Sequence, residues 1–399
     1  MTFLRDDLAQ LAAYKSPHPV DEHSVNEHSV DEKSALPVLD PLDTNESPID
    51  LPQALKSSLA AQYQEAIAAN RYPDGGQLAL KRAVRAYAIS SSSGQVSPEA
   101  IAPDNITLGN GSDELIRSVI MATCLGNHGS ILVASPTFSM YGILAKTLGV
   151  KVHDAARTKH FEVDIEAAQS VIDSKIDSEE DPPVKAVFMV HPNSPTGNAL
   201  TQAELAWLKQ LPKDILIIVD EAYFEFSGHT TLAEALSRPN WLITRTFSKA
   251  FRLAAHRVGY GIGHPDIISA LEKLRLPYNL PSFSQAAAQL ALTHSPEILA
   301  QIPTIIEERE RLYQALCDHP YLRVWPSNSN FVYARLSDRA IAALEAKEQA
   351  DGLAKLFQLL KASGTLIRHT GGGLRISIGT HAENSRTLAN IRQVLGTKS

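Results

Sequence analysis

The feature that most constrains the fold is a series of short, mostly apolar runs separated by helix-like segments. The runs are NITLGN (105–110), SILVAS (130–135), KAVFMV (185–190), ILIIVD (215–220), WLIT (241–244) and VGYGIG (258–263). They lack the strict polar–apolar alternation of strands with one solvated face, so they predict a mostly parallel sheet covered on both faces. Segments such as SDELIRSVIMATCL and TQAELAWLKQL lie between the runs and are typical of crossover helices. The predicted class is therefore α/β.

The pattern changes after about residue 290. A long helical segment, PEILAQIPTIIEERERLYQALCDH, precedes the alternating strands NFVYARL and LRISIG. These features predict a second, smaller α+β domain. We expect an N-terminal arm (1–40), a large domain (66–290) and a small domain formed by 41–65 and 291–399.

Composition and charge exclude several classes of protein. A formal charge of −7 without a basic stripe argues against a nucleic-acid partner. Two cysteines form neither a disulfide framework nor a metal cluster, and the N-terminus lacks the features of a signal peptide. No apolar run approaches the roughly 18 residues of a spanning helix. We therefore expect a cytoplasmic protein with no membrane association.

A degenerate polar repeat, DEHSVNEHSVDEKS, occupies residues 21–34. It has little to bury, which favours a flexible insertion or surface loop. Metal binding by His23 and His28 is the alternative, but two isolated histidines make a weak ligand set, and we expect no metal site.

Several predicted strands end in polar residues that would meet at one edge of the sheet, where α/β proteins bind ligands. Asp220 closes a buried strand, where an uncompensated carboxylate is costly, so it pairs with a cation, caps a helix or serves a function. Tyr223 follows it and could equally be a packing residue. Asn193, in HPNSPTGN, could stabilise a turn or bind a ligand.

A glycine-rich turn, TLGNGSDE, leads into a predicted helix at Ser112 and Asp113. Free N–H groups at a helix start favour an anion, although a helix cap without a ligand is the simpler interpretation. Glu114 stands where a dinucleotide-binding motif would need its third glycine, so that class is disfavoured.

The stretch TFSKAFRLAAHR (246–257) places Lys249 between hydroxyl groups and an arginine. Lys249 is either a solvated charge or a nucleophile beside an anion site formed by Thr246, Ser248 and Arg257. Taken together with the strand-end acid and the glycine-rich turn, the second interpretation gains weight. Pyridoxal phosphate has an aldehyde that needs an amine, a ring nitrogen that needs an acid and a phosphate that needs an anion pocket. These stretches offer all three groups.

Motifs over nearly the whole chain resemble the fold type I aminotransferases, and within them the histidinol-phosphate aminotransferases. They are RYPDGG, PTFSMYG, PNSPTGN, DEAYFEF, RTFSKAFRLAAHRVGY, SNFV and GTLIR followed by LRISIGT, in the family's order. The resemblance implies a fold type I domain with pyridoxal phosphate bound covalently by Lys249, whose pKa should be lowered. The other cofactor residues that it implies are Asp220 at the ring nitrogen, Asn193 and Tyr223 at the phenolic oxygen, Phe138 stacked on the ring, and Thr246, Ser248, Arg257, Ser112 and Asp113 around the phosphate.

The resemblance also implies a shared active site and a substrate pocket. Tyr72 would reach the phosphate of the neighbouring subunit's cofactor, which makes a homodimer obligatory. Arg375 would bind the substrate's polar end and Arg368 a substrate phosphate, although two arginines seven apart could also be surface charges. Tyr14 and Asn45 would line the same pocket.

The implied activity is ping-pong transamination of L-histidinol phosphate with 2-oxoglutarate, in histidine biosynthesis. Alternatives on the same scaffold are a threonine-phosphate decarboxylase and an aromatic amino-acid aminotransferase. The chain departs from the family pattern at Ala255 and His256, where the family has small and apolar residues. The segment LDPLDTNESP also differs from the family, and only Asn45 keeps the match.

Overall fold

The structure is a computed structural model that describes Arg5 and residues 39–175 and 181–396. Tyr14 and the polar repeat 21–34 lie outside the described residues. The predictions made for them therefore stay predictions.

Strands and helices alternate along most of the chain. The strands are β1 (Asp40–Pro41), β2 (Ile106–Asn110), β3 (Ser130–Ala134), β4 (Val152–Ala155), β5 (Val184–Val190), β6 (Leu216–Asp220), β7 (Trp241–Thr246), β8 (Val258–Gly263), β9 (Leu322–Trp325), β10 (Phe331–Leu336), β11 (Thr365–Leu366), β12 (Arg368–Thr370) and β13 (Gly373–Ser377). The helices are α1 (Gln53–Ala66), α2 (Leu78–Ser91), α3 (Gly111–Cys124), α4 (Met140–Thr147), α5 (Ile165–Lys175), α6 (Gln202–Gln210), α7 (Phe224–Ser227), α8 (Leu232–Ser237), α9 (Pro265–Leu274), α10 (Ser282–Thr293), α11 (Ser295–Leu299), α12 (Ile302–Cys317), α13 (Asp338–Ala343), α14 (Gln349–Ala362) and α15 (His381–Leu395).

A seven-stranded sheet forms the larger part of the molecule, with the strand order β2-β8-β7-β6-β5-β3-β4. Neighbours from β7 to β4 run parallel, whereas β8 is antiparallel to both β7 and β2. The prediction of a mostly parallel sheet is confirmed, and the six apolar runs correspond to six of its strands. The seventh, β4, is an additional edge strand.

Helices cover both faces of this sheet. Two separate clusters of buried apolar side chains contain its residues: Ile217 and Ile243 point into one, and Ile218 and Leu242 into the other. Adjacent residues of one strand thus contribute to opposite cores, because successive side chains point to opposite faces. This double burial explains why the sequence runs are apolar without alternation.

A second, four-stranded antiparallel sheet with the order β12-β13-β10-β9 lies in the C-terminal part. It packs with α12, α14 and α15 around a third cluster of buried side chains. Leu42 belongs to this cluster, whereas Leu55 and Leu59 of α1 belong to the core of the large sheet. Residues 41–65 therefore contribute to both cores, and the domain boundaries given above stay a prediction.

None of the helices in the described part of the chain is both long and apolar enough to cross a membrane.

Candidate active site

A cavity of about 570 Å³ opens at the carboxyl ends of β5, β6 and β7. Val190, Asp220 and Thr246 are the last residues of these strands, and all three line it. The predicted site residues in its wall are Asn45, Ser112, Asp113, Phe138, Asp220, Tyr223, Thr246, Ser248, Lys249, Arg257, Arg368 and Arg375. The fold thus brings together most of the residues predicted from separate stretches of sequence.

One end of the cavity is formed by the start of α3. Gly111 has a left-handed φ of 72°, and its N–H donates to the carbonyl of Arg257 at 2.9 Å. A Cβ on Gly259 of β8 would lie 2.6 Å from the backbone nitrogen of Ser112, so only glycine permits this close approach of strand and helix. The helix start therefore presents its free N–H groups to the cavity, which favours a bound anion.

Hydroxyl and guanidinium groups complete this end. Arg257 Nη1 donates to Ser248 Oγ at 3.2 Å, and Thr246 Oγ1 donates to Ser248 Oγ at 2.9 Å. Arg257 also contacts the Asp113 carboxylate at 3.3 Å. These donors converge on one small region and can together bind a phosphate group.

Asp220 lies on the floor of the cavity and is 2% exposed. Its carboxylate accepts hydrogen bonds from the Tyr141 hydroxyl at 2.8 Å and from the N–H of Ala222 at 3.2 Å. Burial raises the pKa of Asp220 to about 6, while the bond from Tyr141 opposes that rise. A cationic ring N–H would provide the electrostatic partner that these neutral donors do not.

Lys249 points into the same cavity from the segment after β7. Its Nζ donates to the carbonyl oxygen of Thr44 at 2.7 Å. Burial, helped by the positive charges of Arg375 and Arg257, lowers the pKa of Lys249 to about 8. About a tenth of this amine is therefore uncharged at pH 7, far more than for an ordinary lysine, and the uncharged form is the one that acts as a nucleophile or base.

Tyr223 is held in place at the cavity wall by Asn45. Asn45 Nδ2 donates to the Tyr223 hydroxyl at 2.9 Å. The orientation of the Asn45 amide is fixed, because its Oδ1 accepts from Ser377 Oγ at 3.0 Å. Burial raises the pKa of Tyr223, so its phenol stays protonated and able to donate into the cavity.

Asn193, predicted to contact the phenolic oxygen of the cofactor, forms its hydrogen bonds with the loops after β3 and β5, so that role stays a prediction. It is 1% exposed and does not line the cavity. Its Nδ2 donates to the Pro136 carbonyl at 3.0 Å and to Thr196 Oγ1 at 2.6 Å, and its Oδ1 accepts from Thr137 Oγ1 at 3.0 Å. The amide is thus used to stabilise the turn, and the next residue, Ser194, lines the cavity instead.

The predicted aromatic residues lie in different surroundings. Phe138 lines the cavity and packs edge-to-face on Tyr141, with ring centroids 5.5 Å apart. Tyr72 is 80% exposed and stacks on Tyr278 at 4.6 Å, outside this subunit's cavity wall. The predicted role of Tyr72 toward another subunit therefore stays a prediction.

The two predicted substrate arginines are brought side by side. Arg368 of β12 and Arg375 of β13 are register partners in the small sheet, and both line the cavity. Arg375 Nη1 donates to Ser194 Oγ at 3.1 Å and Nη2 to the carbonyl of Asp43 at 2.5 Å. The small sheet thus adds a doubly cationic wall to a cavity built on the large sheet.

Sequence reasoning missed Tyr141 and Ser194. Tyr141 is fully buried beneath Asp220, three residues after Phe138 in PTFSMYG. Phe138 precedes α4, which begins at Met140, so no helical spacing in the sequence pointed to Tyr141. Ser194 carried no signal either, since only the backbone geometry decides which of two adjacent polar residues faces the cavity.

These groups fit pyridoxal phosphate at each of its reactive positions. The buried amine can react with the aldehyde, and the buried acid can pair with the ring nitrogen. The phenol can donate to the ring hydroxyl, and the start of α3 with its hydroxyl groups can bind the phosphate. A Cβ at Gly259 would meet the backbone of Gly111 and Ser112, and a Cβ at Gly111 would meet the Arg257 guanidinium, so both glycines keep the phosphate end open. Fold and site together define a fold type I pyridoxal-phosphate protein.

Comparison with known proteins specifies the family. The sequence model of the family "Aminotransferase class I and II" matches residues 40–391. The histidinol-phosphate aminotransferase of Trichodesmium erythraeum is 53% identical over 396 residues, which cover 98% of this chain and 99% of that protein. The chain therefore belongs to the class I and II aminotransferases.

Two solved structures resemble the fold at low sequence identity. The histidinol-phosphate aminotransferase of Sinorhizobium meliloti, crystallised with pyridoxal 5′-phosphate, has a TM-score of 0.78 at 20% identity, and the likeness covers 99% of this chain and 98% of that one. The L-threonine-O-3-phosphate decarboxylase of Porphyromonas gingivalis has a TM-score of 0.69 at 17% identity, covering 90% and 99%. These likenesses show the fold alone.

Proposed function

We propose that the chain transfers the amino group of L-histidinol phosphate to 2-oxoglutarate, using pyridoxal phosphate. The observation that carries the substrate assignment is the pairing of Arg368 and Arg375 in the cavity wall. Two guanidinium groups suit a substrate with a dianionic phosphate, because each can bind phosphate oxygens in a bidentate manner. The identity of 53% to a relative named for this substrate supports the same assignment.

When bound, pyridoxal phosphate supplies an aldehyde that links to amines and a ring that withdraws electrons from the substrate Cα. Lys249 would hold the cofactor through its Nζ, and the same amine, when free, would take up the proton from the substrate Cα. Asp220, buried on the cavity floor, would keep the ring nitrogen protonated. Tyr223 would donate to the phenolic oxygen, and the start of α3 with Thr246, Ser248 and Arg257 would hold the phosphate.

The proposal is tested by spectra and products of the purified protein. Loading with pyridoxal phosphate should give a visible absorption band, and L-histidinol phosphate should remove that band until 2-oxoglutarate is added. Threonine phosphate should release no carbon dioxide, and phenylalanine should leave the band unchanged. Release of carbon dioxide would show a threonine-phosphate decarboxylase, and a faster reaction with phenylalanine would show an aromatic amino-acid aminotransferase. Either result would contradict the proposed activity.

A homodimer with shared active sites is proposed from an exposed aromatic surface. Tyr63 packs edge-to-face on Phe283 at 5.5 Å, and Tyr72 stacks on Tyr278, yet all four rings are at least 36% exposed. Leu276, two residues before Tyr278, is 72% exposed, so covering these apolar side chains with a second copy would lower the free energy. Light scattering should give twice the chain mass.

A mixing experiment tests the sharing itself. Chains carrying Lys249→Ala are inactive in their own site, and chains carrying Tyr72→Ala lack the residue proposed to reach the partner's cofactor. If Tyr72 acts in the partner's site, a mixed dimer has one site with both lesions and one intact site, so mixing the two inactive chains restores activity. No recovery after verified subunit exchange would show that Tyr72 acts within its own subunit.

We further infer that the protein works in the cytoplasm. Cys124 and Cys317 are both free thiols in the structure, as expected in a reducing compartment. Fractionation of cells that produce the protein should recover it with cytoplasmic markers. Recovery from an oxidising compartment would contradict this inference.

A further inference from the structure

Two glycines form the turn between the strands that carry the proposed substrate arginines. Gly371 and Gly372 join β12 to β13, and both have left-handed φ values, of 61° and 72°. Two such residues in succession are typical of a tight hairpin turn, and Thr370 and Gly373 pair directly on either side of it. Arg368 lies in the same short strand as Thr370, and both residues line the cavity. The position of the turn therefore sets the position of the arginine pair.

Two side chains of β10, the strand next to β13, hold the carbonyl oxygen of Gly371. The Tyr333 hydroxyl donates to this oxygen at 2.5 Å, and Arg335 Nη2 donates to it at 3.0 Å. Tyr333 and Arg335 are two residues apart in one strand, so both point to the same face of the small sheet. Tyr333 is also the register partner of Arg375, which lines the cavity from that face. The small sheet thus fixes the turn with one neutral and one charged donor.

An aromatic side chain from the large-sheet part of the molecule orients Arg335. Phe161, which is 4% exposed, lies between β4 and α5, and Arg335 Cζ is 5.0 Å from the centre of its ring. The same ring packs against Trp325 and Tyr333 of the small sheet, with centroids 4.9 and 5.4 Å apart. The Phe161 carbonyl accepts from Arg157 Nη1 at 2.6 Å, which fixes its backbone. Because an aromatic face attracts a guanidinium, Phe161 holds Arg335 where it can donate to the turn.

The turn also rests directly on two loops of the large sheet. A Cβ on Gly371 would lie 2.8 Å from Pro136 Cβ and 2.8 Å from Pro195 Cγ. These prolines follow β3 and β5, so only glycine lets the turn approach both loops. The hairpin therefore cannot shift without losing either these contacts or the bonds from Tyr333 and Arg335.

We propose that Arg335 is a positioning residue that, through the Gly371 carbonyl, holds the hairpin of Arg368 and Arg375 where it binds the substrate phosphate. This inference rests on the proposed function, since it takes a phosphorylated amine as the substrate. Arg335 does not line the cavity itself. Bidentate binding of a phosphate requires guanidinium groups placed to within about half an ångström, so a displaced hairpin binds phosphate less well. Arg335 thus determines how strongly the cavity prefers a phosphorylated amine.

The test compares L-histidinol phosphate with L-histidinol, which has the same amine and no phosphate. Loaded protein is mixed with each amine without 2-oxoglutarate, and the loss of the visible band gives a specificity constant for each. Arg335→Ala should lower the ratio of the two constants roughly tenfold, the effect of one lost hydrogen bond to a charged group. Arg335→Lys keeps a cation and should lose less. The affinity for pyridoxal phosphate should stay at the wild-type value, because the start of α3 packs on the large sheet.

Matched controls separate this role from a general effect on the small sheet. Arg323 is the register partner of Arg335 in β9 and is exposed, so Arg323→Ala should keep the wild-type ratio. Gly371→Ala pushes the turn away from the two prolines and should lower the ratio as Arg335→Ala does. Gly372→Ala has similar backbone strain, but its Cβ would lie 3.4 Å from Arg335 Nη2, an ordinary contact, so it should keep the ratio.

The outcomes distinguish the role of Arg335 from the proposed function. A wild type that prefers the phosphorylated amine, with the same ratio in Arg335→Ala and Arg323→Ala, would overturn the positioning role and leave the proposed function intact. Equal ratios in Gly371→Ala and Gly372→Ala would also overturn that role, and this pair decides if Arg335→Ala does not fold. A wild type that reacts equally with both amines would overturn the proposed substrate, and the role of Arg335 with it.

Discussion

Gly111→Ala should weaken the binding of pyridoxal phosphate by acting on a neighbouring arginine. A Cβ at this position would lie 2.5 Å from Arg257 Nη2 and 3.2 Å from its Cζ. The guanidinium must therefore move away from Ser248 and from the phosphate position. Losing a hydrogen bond to a charged group costs about 1.5–3 kcal/mol, which corresponds to roughly 10- to 150-fold weaker binding.

The backbone of Gly111 provides a second, separable effect. Alanine is strained at its φ of 72°, so the substitution should lower the free energy of unfolding by about 1–2 kcal/mol. Gly126 is a matched control, because its φ is 68° and a Cβ there would meet nothing within 4 Å. Gly126→Ala should lose similar stability and keep the wild-type affinity.

The assay is a titration of cofactor-free protein with pyridoxal phosphate, followed by absorbance, next to unfolding curves of both variants. Equal cofactor affinity in Gly111→Ala and Gly126→Ala would refute the reasoning. It would mean that Arg257 does not hold the phosphate from the position that the structure gives it.

Three further substitutions test buried charges in the large domain. Burial lowers the pKa of Lys249 from 10.5 to about 8, so the cofactor-free Lys249→Met protein should be about 3 kcal/mol more stable than wild type below pH 8. This difference in stability should disappear as the pH rises to 10.5. Denaturant unfolding at several pH values measures it, and a variant less stable than wild type would contradict the prediction. Asp220→Asn removes the partner of the ring nitrogen and should lower kcat at least a hundredfold with the cofactor still bound; a rate within tenfold of wild type would remove Asp220 from that role. The buried Glu221 carboxylate contacts Arg245 at 2.8 Å, and Arg245→Met removes this cation. The substitution should lower the free energy of unfolding by about 3–5 kcal/mol. A loss below about 1 kcal/mol would show that solvent reaches this pair.

The sequence predicted the central sheet well for a physical reason. Strands buried on both faces must be apolar at every position, which makes runs such as residues 215–220 visible without any alignment. β4 was missed because its residues, Val152–Ala155, include a histidine and an aspartate and are only partly buried at the sheet edge. The helical segment at 296–319 forms two helices, α11 and α12, since Pro303 marks the start of a new helix.

The sequence identifies those cavity residues whose chemical role depends on their residue type. Lys249, Asp220 and Arg257 are charged side chains at the ends of apolar runs, and all three line the cavity. The role predicted for Asn193 stays a prediction, because the sequence does not show which of two neighbouring side chains the turn directs toward the cavity. The role of Asn45 toward Tyr223 joins residues 178 positions apart, and such a contact has no signature in a single sequence.

The central claim is that the amine of Lys249 binds pyridoxal phosphate covalently. Borohydride reduction of the loaded protein, followed by digestion and peptide mass spectrometry, tests it most directly. The account predicts the reduced cofactor on the peptide that contains Lys249 and none in the Lys249→Ala protein. Cofactor mass on another lysine, or a covalent adduct that survives in Lys249→Ala, would contradict it.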